Sequence, residues 1–238
     1  MVKERYEPKG EVIISSLPEL FSQLASTLKN YPFLIFIAAE TIFTLGFFII
    51  QIVLPDFNSV ILHRGEGFVT ILFIPFLLVC FPLLFVVEPS VKKWNKKVAY
   101  AGGLLGFALL FPFLGIIGIL PNKEIIVLLL LILIGIAGAP QALKYVMPGA
   151  MLGEIIDYDE RLTGRRREAI YSGAIGFATK TAMTLSYFIR WAVYTPFGRF
   201  SIDNPRPVLL IGPVTGVICL IGFFIFLRYP ILHVVRGE

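Results

Sequence analysis

A few ionisable and polar side chains stand inside long apolar stretches, where a charge is costly unless it has a partner or contacts water. Glu40 and Lys180 are the most deeply placed of them. Glu40 shares a helical face with Thr44, four residues later, and Lys180 shares one with Thr184. Such groups can pair with each other, bind a solute or an ion, or carry a proton. We expect them to face a polar surface inside a helix bundle.

A third polar segment contains Gln141 and Lys144, flanked by Pro140 and Pro148. Because proline interrupts the hydrogen bonding of a helix, this segment could expose backbone carbonyls to a cavity. We therefore place Gln141 with the other candidate residues of a solute or cation pathway: Lys180, Glu40, Thr44 and Thr184. Lys144 lies nearer the end of its apolar stretch, and we predict that its ammonium extends to the membrane surface. The structural alternative for Glu40 and Lys180 is an ion pair between two helices.

Charged residues are dense between residues 153 and 168, with acidic side chains first and arginines after them. We predict a long loop here, in which ion pairs form and break at a gate. The alternative is that this segment is an ordinary loop that has collected arginines.

The composition indicates which structural elements position these residues. The chain has 238 residues, 57% of them apolar and 16% charged, with a mean hydropathy of +0.83. A soluble domain of this length could not bury so much apolar surface, so a soluble enzyme is excluded. Six windows are long and apolar enough to span a bilayer, namely 31–54, 68–87, 98–120, 124–147, 169–194 and 207–227.

Positive charge predicts the orientation, because loop lysines and arginines favour the cytoplasm. With both termini cytoplasmic, the inner segments hold Lys3, Arg5, Lys9, Lys29, Lys92, Lys93, Lys96, Lys97, Arg161, Arg165, Arg166, Arg167, Arg228 and Arg236. The outer segments hold only Arg64, Lys123, Arg199 and Arg206. We therefore predict a multi-pass cell-membrane protein whose net charge of +5 reflects topology, with the lipid bilayer and not nucleic acid as its partner.

Residues 1–30 are predicted to form a cytoplasmic segment, and 31–238 a six-helix membrane domain. The segment Ser16-Leu17-Pro18-Glu19 is a capping box followed by apolar residues at helical spacing, which indicates an amphipathic helix along the membrane. Gly102 with Gly106, and Gly212 with Gly216, are predicted helix-packing contacts.

No metal or catalytic site is expected. Neither His63 nor His233 has a ligand companion at useful spacing, and Cys80 and Cys219 fall inside spans, where a disulfide is not expected. The chain lacks the sequence signatures of serine hydrolases and of zinc proteases. We expect neither an enzyme nor a bound cofactor.

Several segments resemble a known family. Residues Met151 to Tyr158, Thr163 to Arg166, Glu168 to Tyr171 and Phe177 to Lys180 are similar to the signature near the tenth and eleventh helices of the glycoside-pentoside-hexuronide:cation symporters. These are the melibiose-permease-like branch of the major facilitator superfamily. Residues Thr27 to Leu34 resemble the family's central cytoplasmic loop as it enters the seventh helix.

The resemblance implies an all-α membrane fold, equivalent to helices seven to twelve of a twelve-helix transporter and built as two inverted three-helix repeats. It implies a cation-coupled symporter for sugars, driven by Na+ or H+, whose cation ligands lie mainly on a matching N-terminal half. Lys180 takes the place of a lysine that faces the sugar and cation site. The gate is then formed by Glu154, Asp157, Tyr158, Arg165, Arg166 and Glu168, with Glu154 standing where an aspartate is usual.

Two further possibilities stay open at this point. The chain could pair with a separate N-terminal half or with a second copy of itself. It could also be a truncated or self-assembling six-helix protein, such as a channel or a regulatory subunit, without transport activity of its own.

Overall fold

A computed structural model describes residues 25–90, 95–164, 166–198 and 201–230. Within these ranges the chain is helical, with one isolated bridge between Ser201 and Asn204 and no strand. The α-helices are α1 Tyr31–Phe57, α2 Phe68–Ser90, α3 Lys96–Leu110, α4 Pro112–Gly118, α5 Lys123–Thr163, α6 Glu168–Tyr194 and α7 Arg206–Leu227. A π-helical turn, Asn58–Leu62, continues α1, and a 3-10 turn, Thr195–Phe197, follows α6. The capping box at Ser16–Glu19 lies outside the described residues.

Asparagine side chains begin three of the helices. Asn30 accepts a hydrogen bond from an amide in the first turn of α1, and Asn95 and Asn122 do the same for α3 and α5. The first N–H groups of a helix have no partner within it, so such caps fix where a helix starts.

Five helical segments of the described chain are long and apolar enough to cross a membrane: Tyr31–Leu62, Phe68–Val87, Lys96–Gly118, Lys123–Thr163 and Arg206–Leu227. The sixth predicted span, 169–194, coincides with α6, which has 27 residues and the necessary length. Its composition is more polar than that of the other five, because it carries Lys180, Arg190 and several hydroxyl groups. A polar spanning helix needs protein or water beside it.

The prediction of a long loop after residue 147 is wrong. Helix α5 continues for 41 residues to Thr163 and ends at Gly164, whose φ of 68° gives the left-handed conformation typical of a C-cap. Met147, Met151 and Ile155 recur every four residues and are buried, so the apolar stripe that packs α5 extends beyond the expected span. Three of the residues predicted as a gate, Glu154, Asp157 and Tyr158, therefore lie on α5 and not in a loop, and Glu168 begins α6.

The helices form two consecutive units along the chain, which pack against each other. The first unit is α1, α2 and the α3–α4 pair, and the second is α5, α6 and α7. Helix α1 packs against α6 and α7, while α5 packs against α2 and α3, and the α3–α4 pair packs against α7. If α1, α2 and the α3–α4 pair are exchanged with α5, α6 and α7 in that order, the same pairs of helices are in contact. This symmetry is expected for inverted repeats. The expected all-α fold of two three-helix repeats is confirmed.

Glycines allow the two units to approach each other closely. A Cβ atom at Gly212 would lie 2.6 Å from the carbonyl oxygen of Phe111, and one at Gly216 would lie 2.5 Å from the ring of Pro112. The predicted packing role of this pair therefore matches the structure. On α3 the contact with α5 involves Gly103 and Gly106, whereas Gly102 faces open space.

Candidate functional site

A buried cluster of polar side chains surrounds Glu40 in the interior of the bundle. The Glu40 side chain lies on α1, and the residue is 6% exposed. Lys144 of α5 lies with its Nζ 3.0 Å from Glu40 Oε1, and the hydroxyl of Tyr100 on α3 donates to Oε2 at 2.5 Å. Thr44 donates a longer hydrogen bond, 3.4 Å, to Oε1. Both carboxylate oxygens are thus satisfied by donors, as a buried charge requires.

Aromatic rings enclose this cluster. The Tyr100 ring packs against Phe226, with centroids 4.6 Å apart, and Phe36 and Phe43 lie further out at 6.2 Å each. The ammonium of Lys144 lies 5.9 Å from the centre of the Phe43 ring. Apolar surroundings strengthen the attraction between carboxylate and ammonium.

The structure corrects one sequence-based expectation here and decides against one alternative. Lys144 was expected to reach the membrane surface, but it pairs with Glu40 instead because α5 lies close enough to α1. The alternative ion pair between Glu40 and Lys180 is absent in the described structure, since Lys144 engages the carboxylate.

Gln141 lies three residues before Lys144 on α5 and is 1% exposed. Its Oε1 has no hydrogen-bond partner among the described residues. A buried amide oxygen without a donor is costly, so this atom is available to a water molecule or a ligand. A separate apolar cavity of about 50 Å³ is lined by residues that include Phe47, Gln51 and Ala137.

Lys180 lies on the exposed face of α6, away from the Glu40 cluster. Within the described ranges no hydrogen bond or ion pair reaches its ammonium. The hydroxyl of Thr184 donates to the carbonyl oxygen of Lys180, and Tyr187 is 54% exposed. Gly173 and Gly176 are exposed and continue this face, and a Cβ atom added at either position would meet nothing within 4 Å. We call these five residues the Lys180 face.

Three carboxylates surround the guanidinium of Arg166 at the end of the bundle where α5 ends and α1 begins. We call this end of the bundle the basic end. Its guanidinium lies 2.9 Å from Glu160, 3.1 Å from Asp157 and 3.4 Å from Glu168. Hydrogen bonds to Glu160, Asp157 and Glu168, in that order of size, raise the pKa of Arg166. All four side chains are about half exposed, so these pairs exchange readily with water.

Arg167 makes a more buried contact at the same end. Its Nε and Nη2 donate to the two oxygens of Asp159 at 2.9 and 2.6 Å, and its Nη1 donates to Ser26 at 2.6 Å. The hydrogen bond with Asp159 is the main reason that the pKa of Arg167 is raised. Nearby, Asn30 donates to the hydroxyl of Tyr171 at 3.0 Å, which joins α1 to α6.

The other residues predicted at the gate are distributed around this end. Glu154 pairs with Lys96 and thereby joins α5 to the start of α3. Tyr158 is about one third exposed and borders an open cavity of about 430 Å³ beside Asn30 and Arg167. Arg165 lies outside the described residues.

An ion pair also closes the opposite end of the bundle. Arg190 on α6 donates two hydrogen bonds to Asp56 Oδ2, at 2.6 and 2.9 Å, and the Tyr194 hydroxyl donates to the same oxygen at 3.0 Å. Arg190 also contacts the Tyr194 ring, but its main partner is Asp56, which α1 brings close because the helix extends to Phe57.

Sequence reasoning missed Tyr100, Asp159, Arg167 and Asp56 as site residues. Asp56 and Arg190 are 134 positions apart, and no local spacing reveals such a pair. Tyr100 lies in an apolar stretch that contains no charged residue, and its hydroxyl was the only feature that could have indicated a polar contact.

Among the described residues, no group of histidine, cysteine or acidic side chains is arranged to hold a metal ion. Cys80 and Cys219 are both buried and are not joined to each other. The polar groups of the described interior are suited to ion pairing, hydrogen bonding and proton transfer.

Comparison with known proteins identifies the family. Residues 3–232 match the model of the family described as MFS/sugar transport protein. A curated relative, "Uncharacterized symporter YnaJ" of Bacillus subtilis (strain 168), is 32% identical over 111 residues. This alignment covers 46% of the present chain and 24% of the relative, so the chain spans about a quarter of that protein. No solved structure shows a significant match.

These matches agree with the resemblance noted at residues 151–180, and they are to transport proteins and not to enzymes. Several apolar helices of spanning length are consistent with such a protein. Because the family model covers nearly the whole chain, this multi-pass membrane protein belongs to the MFS/sugar transport protein family.

Proposed function

We propose that this chain forms the C-terminal half of a cation-coupled symporter for sugars or related small solutes, which works by alternating access. The observation that supports this most strongly is the Lys180 face. It has the polarity of a solute pathway and lies on the outside of the six-helix bundle.

The depth of Lys180 carries this argument. It lies twelve residues after the start of α6, or about 18 Å along the helix, which is near the middle of a bilayer about 30 Å thick. A lysine at the centre of a lipid-exposed helix costs about 2.5–3.5 kcal/mol. Water or protein must therefore cover the Lys180 face, as in a pathway between two halves of a transporter.

The covering partner is a matching N-terminal six-helix half or a second copy of this chain. In transporters built from inverted repeats, the solute binds near the midplane, where repeats meet. Lys180 then offers hydrogen bonds or charge to the solute or to an acidic side chain across the pathway. Thr184 contributes little more, because its hydroxyl is bonded to its own helix.

The basic end is proposed to face the cytoplasm. Lys29, Lys96, Arg166 and Arg167 all lie there, and lysines and arginines favour the cytoplasmic side of the cell membrane. This orientation places both termini in the cytoplasm.

The Arg166 cluster is proposed to act as a cytoplasmic gate. Its pairs with Asp157 and Glu160 are half exposed, so their side chains are accessible to a partner half. Exposed ion pairs contribute about 0–1 kcal/mol each, so they can be exchanged for contacts with that partner without a large barrier.

Uptake measurements test the proposed function. The chain is expressed alone and together with an N-terminal half from the same family, and uptake of radiolabelled sugars is followed with and without a Na+ or H+ gradient. Cation-dependent uptake is expected with the N-terminal half, and uptake by the chain alone would indicate that a second copy covers the Lys180 face. Lys180→Ala should abolish uptake, while Lys97→Ala, which removes a lysine at the start of α3, should leave it unchanged.

Two outcomes would contradict the proposal. Full uptake by Lys180→Ala would remove the assigned role of this lysine. Ion currents or solute leakage through the chain alone would instead favour a self-assembling channel.

A further inference from the structure

The cluster around Glu40 has a feature that the proposed solute pathway does not use. Glu40 and Lys144 lie on the first helices of the two repeats, α1 and α5, and their ion pair connects these repeats directly. Oε2 of Glu40 has a second, uncharged donor in Tyr100, whereas Oε1 depends on Lys144 and on the long contact with Thr44. The charge of Glu40 is thus balanced by a single ammonium group.

We propose that Glu40 is a proton-binding site of this half, and that Lys144 controls it by exchanging Glu40 for an anionic group that approaches the cluster. This inference rests on the proposed function for its biological role. The site itself is defined by the geometry of the three side chains.

The environment of Lys144 permits the exchange. Its side chain is 18% exposed, whereas that of Glu40 is 8% exposed, so Lys144 is the more accessible member of the pair. It stands on the α5 segment between Pro140 and Pro148, where two backbone hydrogen bonds of the helix are missing. A long, flexible side chain on such a segment can turn toward an approaching carboxylate or phosphate.

The loss of Lys144 leaves Glu40 with hydroxyl donors in an aromatic enclosure. A carboxylate without a cation is strongly disfavoured there, so it takes up a proton from water. The new O–H bond forms on Oε1, the oxygen that Lys144 has left, while Tyr100 continues to donate to Oε2. One proton and one anionic group are therefore bound together, and no other bond changes.

Other charged and titratable groups on the packed helices are engaged elsewhere or lie away from the cluster. On α6 these are Tyr171, bonded to Asn30, Lys180 on the exposed face, and Arg190 and Tyr194, bonded to Asp56. On α3 and α5, Lys96 pairs with Glu154, and Tyr145 is exposed. From α7 and its end, Cys219 packs against Gly46, and Tyr229 stacks on Phe226. The described charge nearest to Glu40 is therefore that of Lys144.

A metal cation fits this cluster poorly. The groups described around the carboxylate are an ammonium and two hydroxyls that donate hydrogen bonds, and the ammonium repels a second cation. Hard cations need several oxygen ligands. The proton is the coupling ion that matches these residues.

Infrared spectroscopy of the full chain in phosphatidylcholine vesicles at pH 7 tests this inference without a transport substrate. The carbonyl band of a protonated carboxyl group is compared between each protein and the same protein carrying Glu40→Gln. We expect no Glu40 band in the wild type and the band of one protonated carboxyl group per chain in Lys144→Met. Lys180→Met, the matched control, should show no such band.

A second arm uses the wild-type chain with D-glucuronate as an anionic probe and methyl glucoside as a neutral one, each at saturating concentration. Glucuronate should produce the Glu40 band, and methyl glucoside should not. Lys144→Gln replaces Lys144→Met if the latter does not fold.

An ionised Glu40 in the folded Lys144 variant would overturn the inference, as would glucuronate binding without the band. These readouts are independent of uptake. If uptake fails while Lys144→Met shows the band, the proposed function is wrong and the proton site stands.

Discussion

Close helix contacts at glycine make a prediction whose size can be worked out from distances. In Gly212→Ala, the added Cβ would lie 2.6 Å from a backbone oxygen of Phe111, well inside van der Waals contact. The α7 helix must then move away from the α3–α4 pair. Overpacking of this kind costs about 1–3 kcal/mol, and the higher helix propensity of alanine returns about 0.5–1 kcal/mol. We expect a net loss of about 1–2 kcal/mol in the free energy of unfolding.

Gly102→Ala is the matched control, because a Cβ there meets nothing within 4 Å. It should be neutral or stabilising by up to about 1 kcal/mol, because only the propensity difference acts. Both variants are unfolded reversibly with increasing SDS in mixed micelles, and helix content is followed by circular dichroism. The assigned contact between α7 and the α3–α4 pair would be refuted if the two substitutions changed the free energy of unfolding equally, or if Gly212→Ala did not lower it.

Three other substitutions test ion pairs at the two ends of the bundle. Asp56→Ala removes the carboxylate that accepts hydrogen bonds from Arg190 and Tyr194, and it should lower the free energy of unfolding by about 2–3 kcal/mol in the same SDS assay; no change would contradict the contact. Arg167→Ala should expose the region around Asp159, and faster amide hydrogen exchange there is the expected readout. Asp157→Asn should slow turnover more than it weakens solute binding in the uptake assay, and a pure binding defect would count against the gate.

The fold was largely predictable from the sequence, because apolar runs of spanning length are a strong local signal. The spans at 31–54 and 207–227 lie within α1 and α7, and the asparagines before α1, α3 and α5 mark helix starts. The end of α5 was not predicted, because charged residues between 153 and 163 obscured the buried stripe that continues the helix.

The candidate site was predictable only in part. Glu40 and Thr44 were identified because polar groups in apolar stretches are rare, and they do share one cluster. The partner of Glu40 was not predicted. The choice between Lys144 and Lys180 as that partner depends on which helices pack together. That choice is made by distant contacts, such as those of Pro140 with the glycines of α3.

The unusual length of α5 has a mechanical consequence. The helix measures about 62 Å, roughly twice the thickness of the hydrocarbon layer, and about 22 Å of it lies beyond Pro148. A bend of about 10° at that proline moves the far end by about 4 Å. Asp157, Asp159 and Glu160 would all move with this end. The length of α5 would therefore convert a small change of angle at Pro148 into a displacement of the carboxylates that bind Arg166 and Arg167.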